Sequence, residues 1–227
     1  LIIIHYTALK NSNEAISYLC MKEKKVSSHY LISQNGTIYN LVEDKFRAWH
    51  AGDAFWQDFI DINSISIGIE LDYSPRGKNN KFSFKMINSL KKLILNLKRN
   101  YKINKNSIIA HSDIAPFRKK DPGKNFPWQS LSSSKLVLNL KKLKENELKI
   151  IEKWFDYRNL KSKKQKIILT LSLLGYDTRK VYKNTKHYNK LIRVYRVRYL
   201  NGGDKIKNKS IYVVLITHLY RFMLTKS

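Results

Sequence analysis

Two of the six histidines in this 227-residue chain close apolar, β-branched runs: His5 follows LIII at 1–4, and His111 follows SIIA at 107–110. Asp121 lies ten residues beyond His111, in a stretch that holds three of the four prolines. Two imidazoles and one carboxylate on strand ends and a neighbouring loop suit Zn²⁺. Three protein ligands leave the fourth position for a water, the catalytic rather than the structural arrangement. A strand-end histidine is more often a hydrogen-bonded structural residue than a ligand, and spacing alone is a weak signal for the metal reading. Glu70, in the otherwise apolar run ISIGIEL at 65–71, is costly to bury without a task or a partner. It reads as a general base for a metal-activated water or as one end of a salt bridge. Lys119, two residues before Asp121, could set a cation over a developing oxyanion, or be one more solvated lysine.

Three further residues could face a ligand. In Trp49-His50-Ala51-Gly52, small residues permit close backbone approach and the indole offers a stacking surface for a sugar or an apolar side chain. The alternative is a loop anchored by a core tryptophan. His29, in Ser27-Ser28-His29-Tyr30, could orient a substrate or a metal ligand, or serve as a satisfied core histidine.

These residues need elements to hold them. Leu1 to Ile4 reads as a buried strand. Residues 12–22 have helical spacing with Ser12 as a cap, and residues 28–33 and 37–42 flank Asn35-Gly36, a hairpin signal. Residues 65–71 and 107–110 are further strands, and 83–100 is an amphipathic helix with Phe84, Ile87, Leu90, Ile94 and Leu97 on one face. Strands alternating with helices predict an α/β layered domain whose binding groups gather at strand ends. Past residue 130 the texture changes. Residues 133–155 are Lys- and Leu-rich with helical spacing, and helices follow around 162–174, 184–199 and 208–224, punctuated by Gly175 and Gly202-Gly203.

Composition narrows the classes. Hydrophobic residues at 43% and aromatics at 12% describe a globular protein. One cysteine, Cys20, excludes an internal disulfide framework and a multi-cysteine zinc finger. The net charge is +27, divided as +9 over residues 1–130 and +18 over 131–227. Such an excess favours a polyanionic partner such as nucleic acid, an anionic membrane face or a cell-wall glycan, although a Lys-rich genome would produce it as well. No helix-turn-helix, zinc-finger or aromatic-basic RNA-binding signature accompanies it, so no nucleic-acid partner is expected. No run of 18 apolar residues is present, so no transmembrane segment is expected. The chain opens inside a strand run without Met, so an upstream segment carrying any targeting signal is expected to precede it.

The set IIIHYTA at 2–8, SSHYLISQNGTIYNLV at 27–42, RAWHAG at 47–52, SIGIEL at 66–71 and AHSDIAPFRKKDPG at 110–123 resembles the zinc-dependent N-acetylmuramoyl-L-alanine amidases of the type-2 (AmpD-like) family. Five motifs in order over residues 1–130 are far more specific than any one of them. The resemblance implies an α/β fold with a mixed central β-sheet flanked by helices. It implies one Zn²⁺ per chain on His5, His111 and Asp121, Glu70 as catalytic acid/base, and Lys119 as the oxyanion-side cation. It implies cleavage of the amide joining N-acetylmuramic acid to L-alanine. LLGYDT at 173–178, IRVYRVRYL at 192–200, Gly202-Gly203-Asp204 and the closing helix resemble the three-helix peptidoglycan-binding module that follows some of these amidases. Where that module usually carries Phe-Gln, this chain has Tyr195-Arg196.

The expected organisation is a zinc amidase domain over 1–130, a helical connector over 131–160 and a small all-α three-helix module over 161–227. His29, Trp49 and His50 are expected to bind substrate. The expected partner is peptidoglycan or a muropeptide, acted on by a monomer, with the bacterial envelope or periplasm favoured over the cytoplasm. The alternative is a peptidoglycan-binding protein without turnover, which has no need of the complete His5, His111, Asp121, Glu70 and Lys119 set.

Overall fold

A computed structural model describes residues 1–200 and 208–225, with 208–210 as backbone only. The expected Gly202-Gly203-Asp204 turn lies outside the described residues. Five strands form one sheet: β1 (Ile2–Tyr6), β2 (Tyr30–Ile32), β3 (Ile38–Asn40), β4 (Ile67–Leu71) and β5 (Ile108–Ala110). Their order is β3-β2-β4-β1-β5, with β2, β4, β1 and β5 parallel and β3 antiparallel at one edge. The β2–β3 pair is the expected hairpin. The expected mixed sheet flanked by helices is therefore present.

Strand periodicity divides the sheet into two differently used faces. Ile2, Ile4, Ile69, Leu71, Ile108 and Ala110 point to one side, where they pack on helix α2 (Phe84–Tyr101) through Met86, Leu90, Ile94 and Leu97. Ser83 caps α2 by accepting from the Met86 N–H at 3.1 Å. Phe84, expected on the buried face, is 80% exposed: at the first helical position it precedes the turn that meets the sheet. Ile3, His5, Gly68, Glu70 and Ile109 point the other way, where the polar residues gather. Helix α1 (Ser12–Cys20) is capped by Asn11 rather than Ser12, the Asn11 side chain accepting from the Glu14 N–H at 3.0 Å.

The chain leaves β5 directly into a four-residue helix, α3 (His111–Ile114), and after the proline-rich loop forms α4 (Trp128–Ser133). The expected helix over 133–155 is shorter: α5 spans Glu145–Tyr157. Before it, Leu136 and Val137 are buried among the α2-side residues, so tertiary burial takes this segment out of the helix its spacing allows. Helices α6 (Lys163–Leu174), α7 (Thr185–Tyr199) and α8 (Asn208–Met223) follow. Ser162 and Gln165 form a capping box on α6, and Gly175 ends it in the left-handed region at φ +111°. These helices pack on the second sheet face. Ile3, Trp56 and Ile109 share one buried cluster with Leu171, Tyr176, Leu191, Tyr195 and Leu215, so the core runs on unbroken past residue 161.

Candidate metal centre at the strand ends

His5 and Glu70 are the penultimate residues of β1 and β4 and stand directly opposite each other in the β1–β4 register. His111 is the first residue of α3, one step beyond the end of β5, which pairs with β1 on its other side. The proline-rich loop then returns, and the Ser112 N–H donates to Asp121 O at 2.9 Å, which brings the Asp121 carboxylate over both imidazoles. The site thus forms at the carboxyl ends of parallel strands, where backbone geometry concentrates binding groups.

His5, His111 and Asp121 are all buried, and their ligand atoms lie within 4.8 Å of one another. His111 Nδ1 is 2.8 Å from Asp121 Oδ2 and 2.9 Å from His5 Nδ1, and His5 Nδ1 is 3.3 Å from the same carboxylate oxygen. The other ring nitrogens decide which tautomers meet there. His111 Nε2 lies 3.0 Å from the Ala51 carbonyl, which only accepts, so Nε2 carries the hydrogen and Nδ1 is bare. Ser66 donates its hydroxyl hydrogen to Ile62 O at 2.6 Å and so accepts from His50 Nε2 at 3.3 Å. His50 Nδ1 is therefore bare and accepts from His5 Nε2 at 3.0 Å, which leaves His5 Nδ1 bare in turn. Burial, reinforced by His111, drives the His5 imidazole down to about 4, in keeping with a neutral ring. Three lone pairs facing one another at such distances repel unless they share a cation. The residues therefore fit a metal ion, and an N₂O donor set is one that Zn²⁺ accepts.

Glu70 is half-buried, and its Oε2 is a buried atom without a hydrogen-bond partner among the described residues. Burial, and then the charge of Asp121, push its carboxyl up to about 8, against the opposing pull of the Lys119 ammonium. Lys119 is half-buried and acts on His5 in the same sense. The residues singled out for chemistry thus gather at one sheet end.

Those singled out for substrate contact divide. His29 Nδ1 accepts from the Gly68 N–H at 3.0 Å and its Nε2 donates to Phe46 O at 3.0 Å, so both nitrogens are spent on backbone and neither is left for a ligand. His50 likewise spends both nitrogens inside the protein, and its ring lies against Gly68, behind His5. Trp49 remains available. It is 56% exposed, carries the Arg47 guanidinium 4.4 Å from its ring centroid, and rims a cavity of about 580 Å³ with Met21, Val26 and Val42.

Three supporting residues carried no sequence signal. Ser66 completes the His50 chain. Asn63 Oδ1 accepts from the His50 and Ala51 N–H groups at 3.0 and 2.8 Å. Arg118 Nη2 donates to Ala51 O and Asp53 O, both at 2.7 Å, and so grips the loop whose carbonyl orients His111. Each acts through a contact more than ten residues away in sequence, which spacing cannot reveal.

A family model described as N-acetylmuramoyl-L-alanine amidase matches residues 1–124. The chain is 38% identical over 144 residues to N-acetylmuramoyl-L-alanine amidase AmiD of Escherichia coli, covering 58% of this chain and 51% of that protein. It is 40% identical over 114 residues to 1,6-anhydro-N-acetylmuramyl-L-alanine amidase AmpD of Haemophilus influenzae, covering 49% of this chain and 60% of that one. The chain thus spans little more than half the length of these curated relatives. Among solved structures, the E. coli AmiD complex with anhydro-N-acetylmuramic acid-L-Ala-D-gamma-Glu-L-Lys superposes with a TM-score of 0.74 at 25% identity, covering 100% of this chain and 88% of that chain. Pseudomonas aeruginosa AMPDH3 superposes at 0.79 and 24% identity over 99% of this chain and 92% of that chain, a likeness of fold.

Proposed function

Because the chain belongs to the N-acetylmuramoyl-L-alanine amidase family, we propose that it hydrolyses the amide between N-acetylmuramic acid and L-alanine in peptidoglycan or its fragments, with Zn²⁺ held by His5, His111 and Asp121. The observation that carries this reading is the convergence of three bare ligand atoms beside the unpartnered carboxylate oxygen of Glu70. The ion supplies Lewis-acid polarisation of the scissile carbonyl and acidifies a nearby water.

The protein's own groups do the rest. Glu70 takes a proton from the attacking water as the water oxygen bonds to the carbonyl carbon. It returns that proton to the alanine nitrogen as the C–N bond breaks; the water's second proton then passes from the new lactyl carboxyl to the amine, leaving a carboxylate on the sugar and an ammonium on the peptide. Burial raises its carboxyl pKa and the Lys119 charge opposes that rise, an environment for a group that exchanges a proton rather than holding a permanent charge. Lys119 sets its positive charge where the carbonyl oxygen becomes an oxyanion. Trp49 offers an exposed indole face for the sugar or an apolar part of the stem peptide. The +27 charge steers carboxylate-bearing fragments and wall polymer toward the molecule, which favours action at the cell envelope. The +18 carried by residues 131–227 supports a part for this C-terminal segment in wall adhesion.

Mass spectrometry of peptide released from purified muropeptides tests this. Peptide beginning with L-Ala appears with Zn²⁺ present and vanishes with a chelator. Glu70→Ala keeps the fold and its bound zinc and loses about 10²- to 10⁴-fold in turnover. Wild-type turnover in that variant would sink the mechanism.

A further inference from the structure

Asp113 lies two residues beyond His111, is 0% exposed, and takes no part in the chemistry above. Its carboxylate is held by three donors. The Ala110 N–H donates to Oδ2 at 2.8 Å, which folds the strand-to-helix turn that starts with His111. The Tyr176 hydroxyl donates to Oδ1 at 2.9 Å. Arg198 Nη1 pairs with Oδ2, while Arg198 Nη2 donates to Ile108 O in β5 at 2.7 Å. Two of the three donors therefore arrive from the C-terminal segment, one just past α6 and one from α7, 63 and 85 residues along the chain.

The donors are themselves fixed. Tyr176 is 1% exposed, follows the Gly175 cap of α6 and meets Trp56 edge-on with ring centroids 5.0 Å apart. The Gly175 carbonyl accepts from the Gln57 N–H at 3.0 Å. Arg198 is 7% exposed and lies over the Trp128 ring at 4.5 Å. A buried carboxylate that lacks its partners costs far more than a paired one gains, so the turn at Ala110–Asp113 depends on these two side chains.

We infer that Tyr176 and Arg198 are positioning residues for the metal centre: through Asp113 they set α3, and with it the direction of His111 Nδ1. On this inference the C-terminal helices brace the site itself, whatever they also bind. The inference rests on the metal reading above, so the experiment separates the two.

Zn²⁺ affinity is measured on the full chain by competition with a chromophoric chelator, with circular dichroism as the check on folding. Wild type binds one zinc; failure to do so overturns the metal reading, and the brace with it. Arg198→Met weakens zinc binding about 10- to 100-fold, the range for outer-shell partners of metal ligands, and Arg198→Lys recovers part of the loss. Tyr176→Phe removes one hydroxyl, keeps the ring packing and weakens binding by a smaller factor, so it answers the question even if Arg198→Met does not fold. Leu215→Ala opens the same core on α8 without touching Asp113; it lowers the melting temperature and leaves zinc affinity within about twofold. Unchanged affinity in folded Tyr176→Phe, and in Arg198→Met where it folds, overturns the brace. So does an equal loss in Leu215→Ala, which would mark a general effect of packing.

Discussion

His50 and His5 differ little as residue types, yet one sits behind the other in the site. Both are buried and both rings are neutral, and the second hydrogen bond of each separates a metal ligand from its support. His5 gives Nε2 to His50 and keeps Nδ1 for the cluster, whereas His50 gives Nε2 to Ser66 and Nδ1 to His5. The sequence singled out His5, Glu70, His111, Lys119 and Asp121 through motifs that resemble a known family, where spacing alone left both readings of each residue open. It assigned His29 and His50 to substrate because a histidine's orientation is invisible until its backbone partners are known. His50→Leu removes the acceptor that fixes the His5 tautomer. Zinc affinity is expected to fall about 10- to 100-fold, with the global fold retained. Chelator competition measures this, and wild-type affinity would show that His5 needs no such partner.

At the scale of elements, the site exists because β1 and β4 are parallel, adjacent and in register, so that His5 and Glu70 end on the same face. Runs of β-branched residues made these strands legible. Their pairing was not, since register is set by contacts between segments more than sixty residues apart. Gly68 belongs to the same arrangement. A Cβ there would stand 2.6 Å from His50 Cδ2, so β4 presents bare backbone to let the His50 ring lie against the sheet. Gly68→Ala is expected to push His50 away from His5, to cost about 1–3 kcal/mol of stability through overpacking, and to weaken zinc binding in parallel. A urea midpoint and a zinc titration on one sample check both effects, and a stable variant with intact affinity would refute the close fit. The helix expected over 133–155 shows the converse: helical spacing in a Lys- and Leu-rich segment yields where Leu136 and Val137 find a better burial on the sheet side.

Over the whole molecule, the C-terminal helices and the sheet share one core, so the stability of one is felt in the other. His218 on α8 lies in that shared interior, with Nδ1 3.1 Å from the Tyr195 hydroxyl. Burial, and then the charge of Arg198, lower its pKa to about 3, against an ordinary value of 6.5. The folded protein therefore holds this ring neutral where the unfolded chain protonates it. The sign follows: the stability is fully present above pH 6.5 and drains away as pH falls toward 3, at no more than about 1.4 kcal/mol per pH unit from this group. His218→Gln is expected to lose less stability than wild type between pH 7 and pH 5, as read from urea midpoints. Parallel losses in the two proteins would show that His218 is not the group responsible.

The sequence by itself determined the α/β class with its appended helices and the strand runs, because side-chain type and local periodicity are properties of short segments, and it pointed to the candidate residues through motifs that resemble a known family. Tertiary structure alone decided which histidine nitrogens are bare, that Ser66, Asn63 and Arg118 stand behind the ligands, and that Asp113 reaches into the C-terminal helices. These depend on donors and acceptors brought together across as many as 85 residues of chain, where burial makes an unmade hydrogen bond costly and local pattern carries no record of the partner.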